Sequence, residues 1–495
     1  MTEAGTSTTS RPEPFALSEA EHAAIARVFE SGPSVFGALS TLRTRRIGLG
    51  YRSETGEEES FDWSSHLVVR QREGPLSFQS ASPPFALTEV EEALIAWAAL
   101  GPNGIVTADI PVHGDLSSLL SWAGRTVPAS SNDHAVDLFI INDQGVHLYR
   151  PGTERMAPVE ISGPGDYWKI LHWYRTGRLR VSDKRPDVAW ATAPPGTHNV
   201  NTMGALQYNV NRPGSSWFLP VGDVGLEWVN LLLSSYQFGG FYLQDAETGK
   251  PAGCDQWIRP GFLEVGFPIP IFDELAIMQH VTEVACVVQN IRLACEAMGL
   301  GAWAMGGYSD DLLLGAYPEV AKGMGFAFIE RDPTRNPSRT ATCLGLPGVL
   351  DAAVAPSRKF PTAEALVRHV VDLRYRRGAH LSPIDNWAER NGGPFTAETR
   401  ERILEHPRTH IPDWVVEAAI DTVRYVIQKY GAAPAYVNPV RAKFSCQVHH
   451  VDLEYYRAFH TGGAEPYLAT PQLVSHFADW HPGHPDLYER RSSHA

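Results

Sequence analysis

The strongest structural signal in the sequence is a helical stripe over about residues 281–298. Apolar side chains there recur every three or four residues, which is the spacing of one buried helix face. These positions are Val284, Val287, Val288, Ile291, Ala294, Cys295 and Met298. Gly299 and Gly301 end the helix, and the following Ala-Trp-Ala-Met-Gly-Gly predicts a short strand that ends in a glycine turn. A long buried helix that leads into a strand requires a large core, and the 43% of hydrophobic residues in this chain can supply one.

Charge and cysteine content exclude several classes of protein. The 495 residues include 42 Lys and Arg against 56 Asp and Glu, a net charge of −14, which argues against a nucleic-acid or anionic-membrane surface. No window approaches the roughly 18 uninterrupted apolar residues of a membrane span. The five cysteines are too few and too scattered for a disulfide framework. We therefore expect a cytoplasmic protein with reduced thiols that acts on a small molecule or a peptide.

Local signals place several elements along the chain. Ser18 with Glu21, and Thr88 with Glu91, have the spacing of capping boxes that begin helices. The run VDLFIIND, the turn residues Asp-Gln-Gly and the run VHLYRP predict a hairpin over 136–151. The stretch 184–222 is rich in Pro, Gly and Asn and predicts a functional loop or an insertion. We predict a disordered tail (1–16), a main domain (17–370) with an insertion around 160–280, and a helical C-terminal extension (371–495) that includes helices at 397–406 and 413–430.

Three parts of the sequence have residues suited to a flat, phosphorylated ligand. In 127–143, Ser and Asn side chains precede a buried strand, where they could pair with the polar edge of a flavin ring, although an ordinary turn has the same composition. Gly306 and Gly307 would let a flat ligand lie against the backbone, while Gln289 could contact a ligand or serve as a structural hydrogen-bond partner. Two basic clusters could bind a phosphate or simply be solvated. The clusters are Arg43, Arg45 and Arg46, and Arg358 and Lys359.

Taken in chain order, these segments resemble the flavin-dependent nitroreductase family, and most of all its thiazoline-dehydrogenase-like branch. The resemblance covers about residues 38–370. The matching segments are Arg43-Thr44-Arg45-Arg46 and Arg358-Lys359 for the FMN phosphate, Pro128-Ala129-Ser130-Ser131-Asn132 for the ring, and Gln289-Asn290, Gly299-Leu300-Gly301 and Gly306-Gly307 for the helix, strand and glycine turn beside it.

The resemblance implies both a fold and a chemistry. The fold would be α+β, a nitroreductase-type mixed or antiparallel sheet flanked by helices, in a two-fold homodimer with FMN at the interface. The chemistry would be hydride transfer between flavin N5 and an organic substrate, with NAD(P)H as a candidate electron donor. His134 and Tyr308 lie beside the ring-binding segments and are candidates for proton delivery.

The sequence also departs from the family, and two other functions stay open. Many relatives have Gln-Pro-Trp after the asparagine of the ring segment, where this chain has Asp133-His134-Ala135-Val136, and Thr44 stands for the usual serine. These changes argue against reduction of nitroaromatics. One alternative is a flavin-free binding or scaffold protein of the same fold. The other is an oxygen-dependent dehydrogenase that tailors a peptide or another natural product.

A last cluster near the C-terminus contains side chains that can bind metals. On a helix, Cys446 would share a face with His449 or His450, and Asp452 follows closely. No second cluster completes a set of four ligands at a familiar spacing. We therefore expect a packed, hydrogen-bonded histidine pair and no metal.

Overall fold

The computed structural model describes residues 15–53, 76–107, 121–129, 134–151, 160–186, 188, 210–319, 321–374, 396, 398, 411–460, 470–484 and 487. The helices are α1 (Glu19–Ser31), α2 (Val35–Thr41), α3 (Glu89–Leu100), α4 (Trp168–Gly177), α5 (Val224–Ser234), α6 (Ile269–Met298), α7 (Asp310–Leu314), α8 (Ala363–Arg374), α9 (Asp413–Tyr430), α10 (Leu453–Phe459) and α11 (Pro471–Trp480). The strands are β1 (Arg52–Ser53), β2 (Phe78–Gln79), β3 (Pro102–Thr107), β4 (Ser121–Arg125), β5 (Val136–Asn142), β6 (Gly145–Tyr149), β7 (Arg178–Ser182), β8 (Ser215–Asp223), β9 (Phe241–Gln244), β10 (Val265–Pro268), β11 (Gly301–Met305), β12 (Ala327–Ile329), β13 (Thr342–Leu346), β14 (Leu350–Asp351), β15 (Val440–Arg441) and β16 (Ser445–His449).

A seven-stranded sheet forms the centre of the described structure. Its order is β11-β16-β8-β5-β6-β7, with β15 paired to β8 beside β16, and all these pairs are antiparallel. Three small sheets are also antiparallel, whereas β9 and β10 pair in parallel. Helices pack against these strands, so the predicted α+β class is confirmed.

Helix α6 forms much of the core, as its apolar stripe predicts. Val287 and Ile291 are buried and pack in one cluster with Leu94 of α3 and Ile140 of β5. The helix begins at Ile269, twelve residues before the predicted start. It ends at Gly299, whose φ of +78° is the left-handed conformation that glycine adopts without strain. Strand β11 follows directly, as expected.

Short-range signals are confirmed where the structure describes them. Ser18 and Thr88 both accept from the backbone of a glutamate three residues later, and both glutamates reach back to the cap. The predicted hairpin is β5 and β6, joined by a tight turn. The structure differs from the sequence analysis mainly in strands that are buried on both faces.

Two such strands lie where the sequence analysis predicts other structure. Strand β8 occupies the end of the predicted 184–222 loop, and β16 occupies the segment considered as a helix. Neither shows the alternation of a half-exposed strand, because eight of the nine β8 residues and all of β16 are buried. The C-terminal region is therefore not only helical, since it contributes β15 and β16 to the central sheet.

Some predictions fall on parts of the chain outside the described residues. Residues 1–14 of the predicted tail lie outside, whereas Phe15 packs edge-on against Trp168 with ring centroids 6.1 Å apart. Of the helix predicted at 397–406, only residue 398 is described. All five cysteines are free thiols. No helix in the described ranges is both long enough and apolar enough to cross a bilayer.

Candidate functional site

A cavity of about 380 Å³ opens where β5 begins and β8 ends, beside α5 and α8. We name it the β5–β8 cavity. Its polar lining includes Arg125, His134, Asp137, Tyr149, Arg150, Asp223, Asp351, Lys359 and His369, and its apolar lining includes Val136, Leu226, Val349, Leu350 and Phe360. A mostly apolar wall with a few converging polar groups is typical of small-molecule sites, whose volumes are about 300–1,000 Å³.

His134 is held at the cavity by its backbone and by α6. Its φ of +48° is unusual for a residue other than glycine and turns the chain into β5. Nδ1 lies 3.2 Å from Oε1 of Glu283 on α6, which orients the imidazole. Nε2 is buried and has no hydrogen-bond partner among the described residues. The hydroxyl of Tyr149, in the same lining, is also buried without a hydrogen-bond partner among the described residues. Both groups can therefore bind a polar ligand.

Asp223 is the most strongly perturbed carboxyl group in this lining. Burial, reinforced by the charge of Asp137, raises the pKa of Asp223 to about 7, although the backbone N–H groups of Leu226 and Ala353 donate to it at 2.9 Å. A carboxyl group with that pKa can hold or release a proton near neutral pH. Asp137 itself pairs with the guanidinium of Arg150 through two hydrogen bonds, one of 2.8 Å from Nε to Oδ1.

The rim near the start of α8 is basic. Lys359 is half-exposed and lies 4.0 Å from Asp351, an ion pair at the limit of contact between two exposed groups, so the ammonium stays available to an anion. Arg358 beside it is exposed. Burial and the charge of Lys359 lower the pKa of His369, whose ring packs at a tilt against Phe360 with centroids 4.9 Å apart.

The early arginine cluster lies elsewhere. Gly48, which closely follows the cluster in sequence, forms a β-bridge with Val451 just beyond the end of β16. This places the cluster at the end of the sheet opposite the cavity. Arg45 is 2% exposed and donates from Nη1 to Oε2 of Glu296 at 2.8 Å, while the guanidinium of Arg46 lies 3.7 Å from the ring centre of Trp303. Arg43 donates to the carbonyl of Leu42, and Thr44 is exposed. None of these four residues belongs to the described lining of the cavity.

The remaining residues that were predicted to contact the flavin lie in different parts of the structure. Gln289 accepts from Nη1 of Arg292 at 3.0 Å, and both side chains are partly buried on α6. Gly306 and Gly307 follow β11, and Gly307 is exposed. Tyr308 is buried, which raises its hydroxyl pKa, and its ring meets Trp217 edge-on. Neither the glycines nor Tyr308 line the cavity as described. Ser130, Ser131 and Asn132 lie outside the described residues.

Of the predicted site residues, the structure thus brings His134 and Lys359 to one cavity. Sequence reasoning missed Asp137, Arg150 and Asp223. The hairpin register contained a usable signal for the first two, because Leu138 opposite Tyr149 puts Asp137 opposite Arg150. Asp223 also has a local signature, an aspartate that caps α5 directly after a buried strand.

Comparisons with known proteins give little information about this chain. No family model and no curated protein matches the chain. Among solved structures, a candidate nitroreductase from Ralstonia eutropha JMP134 is similar over 61% of this chain and 77% of its own, with 12% sequence identity and a TM-score of 0.24. A likeness of that size carries no argument about function, so the α+β class rests on the helices and strands described above.

Proposed function

We propose that the protein is an FMN-dependent oxidoreductase and that the flavin binds in the β5–β8 cavity. One observation carries this proposal: His134 and Lys359, from two sequence segments expected to contact the flavin, line the same cavity of about 380 Å³. Residues so far apart in the sequence share a wall only because the fold brings them together.

The cavity lining suits FMN in its chemistry. Lys359 supplies a positive charge for the phosphate at the rim. The buried Nε2 of His134 and the hydroxyl of Tyr149 supply polar groups for the edge of the ring, and Val136 and Leu226 supply apolar wall. A bound FMN would exchange a hydride with an organic substrate. Asp223, with its pKa near 7, would hold or release the accompanying proton.

The proposed substrate, electron partners and oligomeric state follow the resemblance, whereas the phosphate contacts of the early arginine cluster do not. The substrate is a small molecule or a peptide, the electron donor in the reductive direction is NAD(P)H, and oxygen is the acceptor in the oxidative direction. The protein is proposed to be a homodimer. Arg43, Arg45 and Arg46 have no part in this flavin site, because they lie outside the described cavity lining and Arg45 already pairs with Glu296.

The test is the visible spectrum of the full-length protein followed by an FMN titration. We expect bands near roughly 370 and 450 nm and the release of FMN on denaturation. Lys359→Ala should weaken FMN binding about tenfold, the lower range for a charge-assisted contact because the side chain is half-exposed. Lys250→Ala, at an exposed lysine outside the cavity, is the control and should bind like the parent. Light scattering on the same sample should give twice the 54.5 kDa chain mass.

A second function is favoured by one specific observation, the Arg45–Glu296 pair. The guanidinium of Arg45 is 2% exposed and its charge is already paired with the carboxylate of Glu296, which leaves no net positive charge there for a phosphate. A chain that had lost flavin binding would keep this arginine only for structure, which fits a flavin-free binding or scaffold protein. A colourless protein that also fails to bind added FMN would support this function and rule out the first.

A further inference from the structure

Four buried side chains from distant parts of the chain converge away from the β5–β8 cavity. They are Glu91 on α3, His450 directly after β16, His476 on α11 and His481 at the end of α11. Each is at most 5% exposed. One potential ligand atom from each lies within 4.8 Å of all the others. The proposed flavin chemistry uses none of them.

The distances within this group are those of a coordination sphere. Oε1 of Glu91 lies 3.2 Å from Nε2 of His450 and 3.1 Å from Nε2 of both His476 and His481. The Nε2 atoms of His450 and His481 are 3.1 Å apart. A tetrahedral zinc site with bonds of about 2.0–2.1 Å has ligand atoms about 3.3 Å apart. Four of the six distances between these donors are therefore close to those of such a tetrahedron, and the other two are at most 4.8 Å.

Hydrogen bonds on the far side of two rings fix which nitrogen faces the centre. Nδ1 of His450 lies 3.0 Å from the carbonyl of Phe85, and Nδ1 of His476 lies 2.7 Å from the carbonyl of Met298. A carbonyl only accepts, so both rings carry a proton on Nδ1, and in the neutral ring Nε2 presents its lone pair to Glu91. Carbonyl partners of this kind are what orient metal-binding histidines.

The carboxylate is oriented in the same way. Oε2 of Glu91 accepts from the backbone N–H and the hydroxyl of Thr88 at 2.7 and 2.9 Å, which leaves Oε1 directed at the three rings. With the rings of His450 and His476 neutral, this anionic oxygen faces two nitrogen lone pairs at a distance of 3.1 to 3.2 Å. Nε2 of His476 lies 3.1 Å from Oε1 of Glu91 but is poorly aligned for a hydrogen bond with it. Buried acceptors that face one another in this way are unfavourable, and either a bound metal ion or additional protons would relieve the repulsion.

We propose that Glu91, His450, His476 and His481 bind a divalent transition-metal ion, zinc(II), as a structural site. Three imidazoles and one carboxylate are the donors that zinc takes, and four protein ligands leave no open position for catalysis. Phe85 and Phe477 pack against the His450 ring with centroids 5.1 and 5.3 Å away and help to exclude water. This inference departs from the expectation of no metal. Of the four residues, only His450 is predicted from the sequence as a potential metal ligand, and Glu91 is predicted only as part of a capping box.

The site would connect the N-terminal and C-terminal parts of the chain. It joins α3 to the end of β16 and to α11, which lie far apart in sequence. Because the unfolded chain does not preform such a site, binding free energy becomes folding free energy. The metal would thus hold α11 against the core.

Elemental analysis of the full-length protein, expressed with zinc and purified without chelator, tests the proposal. We expect about one zinc per chain. His476→Asn should lose at least nine-tenths of it, and Glu91→Gln should lose most of it while keeping the capping box, since glutamine also serves at that position. The control is His147→Asn, which changes a buried histidine on β6 outside the cluster and should retain the metal. Equal loss in the control and in His476→Asn would overturn the assignment.

Two measurements on the wild-type protein keep the test decisive if the variants do not fold. Chelation should lower Tm, and added zinc should restore it. X-ray absorption should show only nitrogen and oxygen neighbours at about 2.0 Å. A sulfur neighbour would show that the metal binds a cysteine and is not held by these four residues. Less than a tenth of an equivalent of any metal, with no change in Tm on adding zinc, would mean that the four groups share protons instead. Either result overturns the proposal.

Discussion

Asp223 illustrates how one buried residue can couple the stability of this fold to pH. Its carboxyl caps α5 and at the same time lines the β5–β8 cavity. Burial raises its pKa to about 7 in the folded protein, against about 3.9 in an unfolded chain. Between these values the folded state holds a proton that the unfolded state has lost. Its contribution to the free energy of unfolding therefore falls as the pH rises to about 7 and is constant above that.

Asp223→Asn should remove this dependence while keeping a side-chain oxygen for the Leu226 N–H. Relative to the parent, we expect the variant to gain about 2 to 3 kcal/mol in free energy of unfolding from about pH 5 to 7.5. Urea unfolding of both proteins across that range measures the difference. Parallel curves for the two proteins would show that Asp223 ionises normally in the folded state.

At the scale of elements, a comparison of two helix ends distinguishes the cost of backbone strain from the cost of a packing clash. Gly299 ends α6 at φ +78° and Gly431 ends α9 at φ +85°, so an alanine at either position pays about 1 kcal/mol for the left-handed conformation. A Cβ at Gly299 would lie 2.1 Å from the carbonyl oxygen of Gln472 on α11, whereas one at Gly431 would meet nothing within 4 Å.

Gly299→Ala should therefore lower the free energy of unfolding by about 1 to 3 kcal/mol more than Gly431→Ala does. This is the usual range for an overpacked contact. Chemical denaturation of the two variants beside the parent gives this comparison. Equal losses would mean that α11 moves aside without cost, and α11 would then not be tightly docked against the end of α6.

The elements also show what the sequence could and could not reveal. Capping boxes, the β5–β6 hairpin and the α6 stripe were predictable because their signals are local. Strands β8 and β16 were not, because burial on both faces removes the alternation that identifies a strand. The candidate site divides in the same way. Asp137 opposite Arg150 follows from hairpin register, whereas the Glu91 cluster depends on contacts between elements hundreds of residues apart.

At the scale of the whole molecule, the C-terminal region is part of the central sheet. Strand β16 pairs with β8 on one side and β11 on the other, and its Cys446 and Val448 are fully buried in the core cluster that contains Val287 of α6. Removing an internal strand exposes two strand edges and the apolar surface beneath them, unlike removing an appended domain.

A chain that ends at residue 438, just before β15, should therefore fail to fold. We expect it to be insoluble, or soluble without a cooperative unfolding transition, because β8 and β11 lose their shared partner and α6 loses part of its cover. A chain that ends at residue 484 retains every strand of the central sheet and is the matched control. Far-UV circular dichroism, thermal melts and limited proteolysis compare the two. Cooperative melting of the shorter chain would show that the residues up to 438 fold without β15 and β16 and that the pairing of β16 adds little to stability.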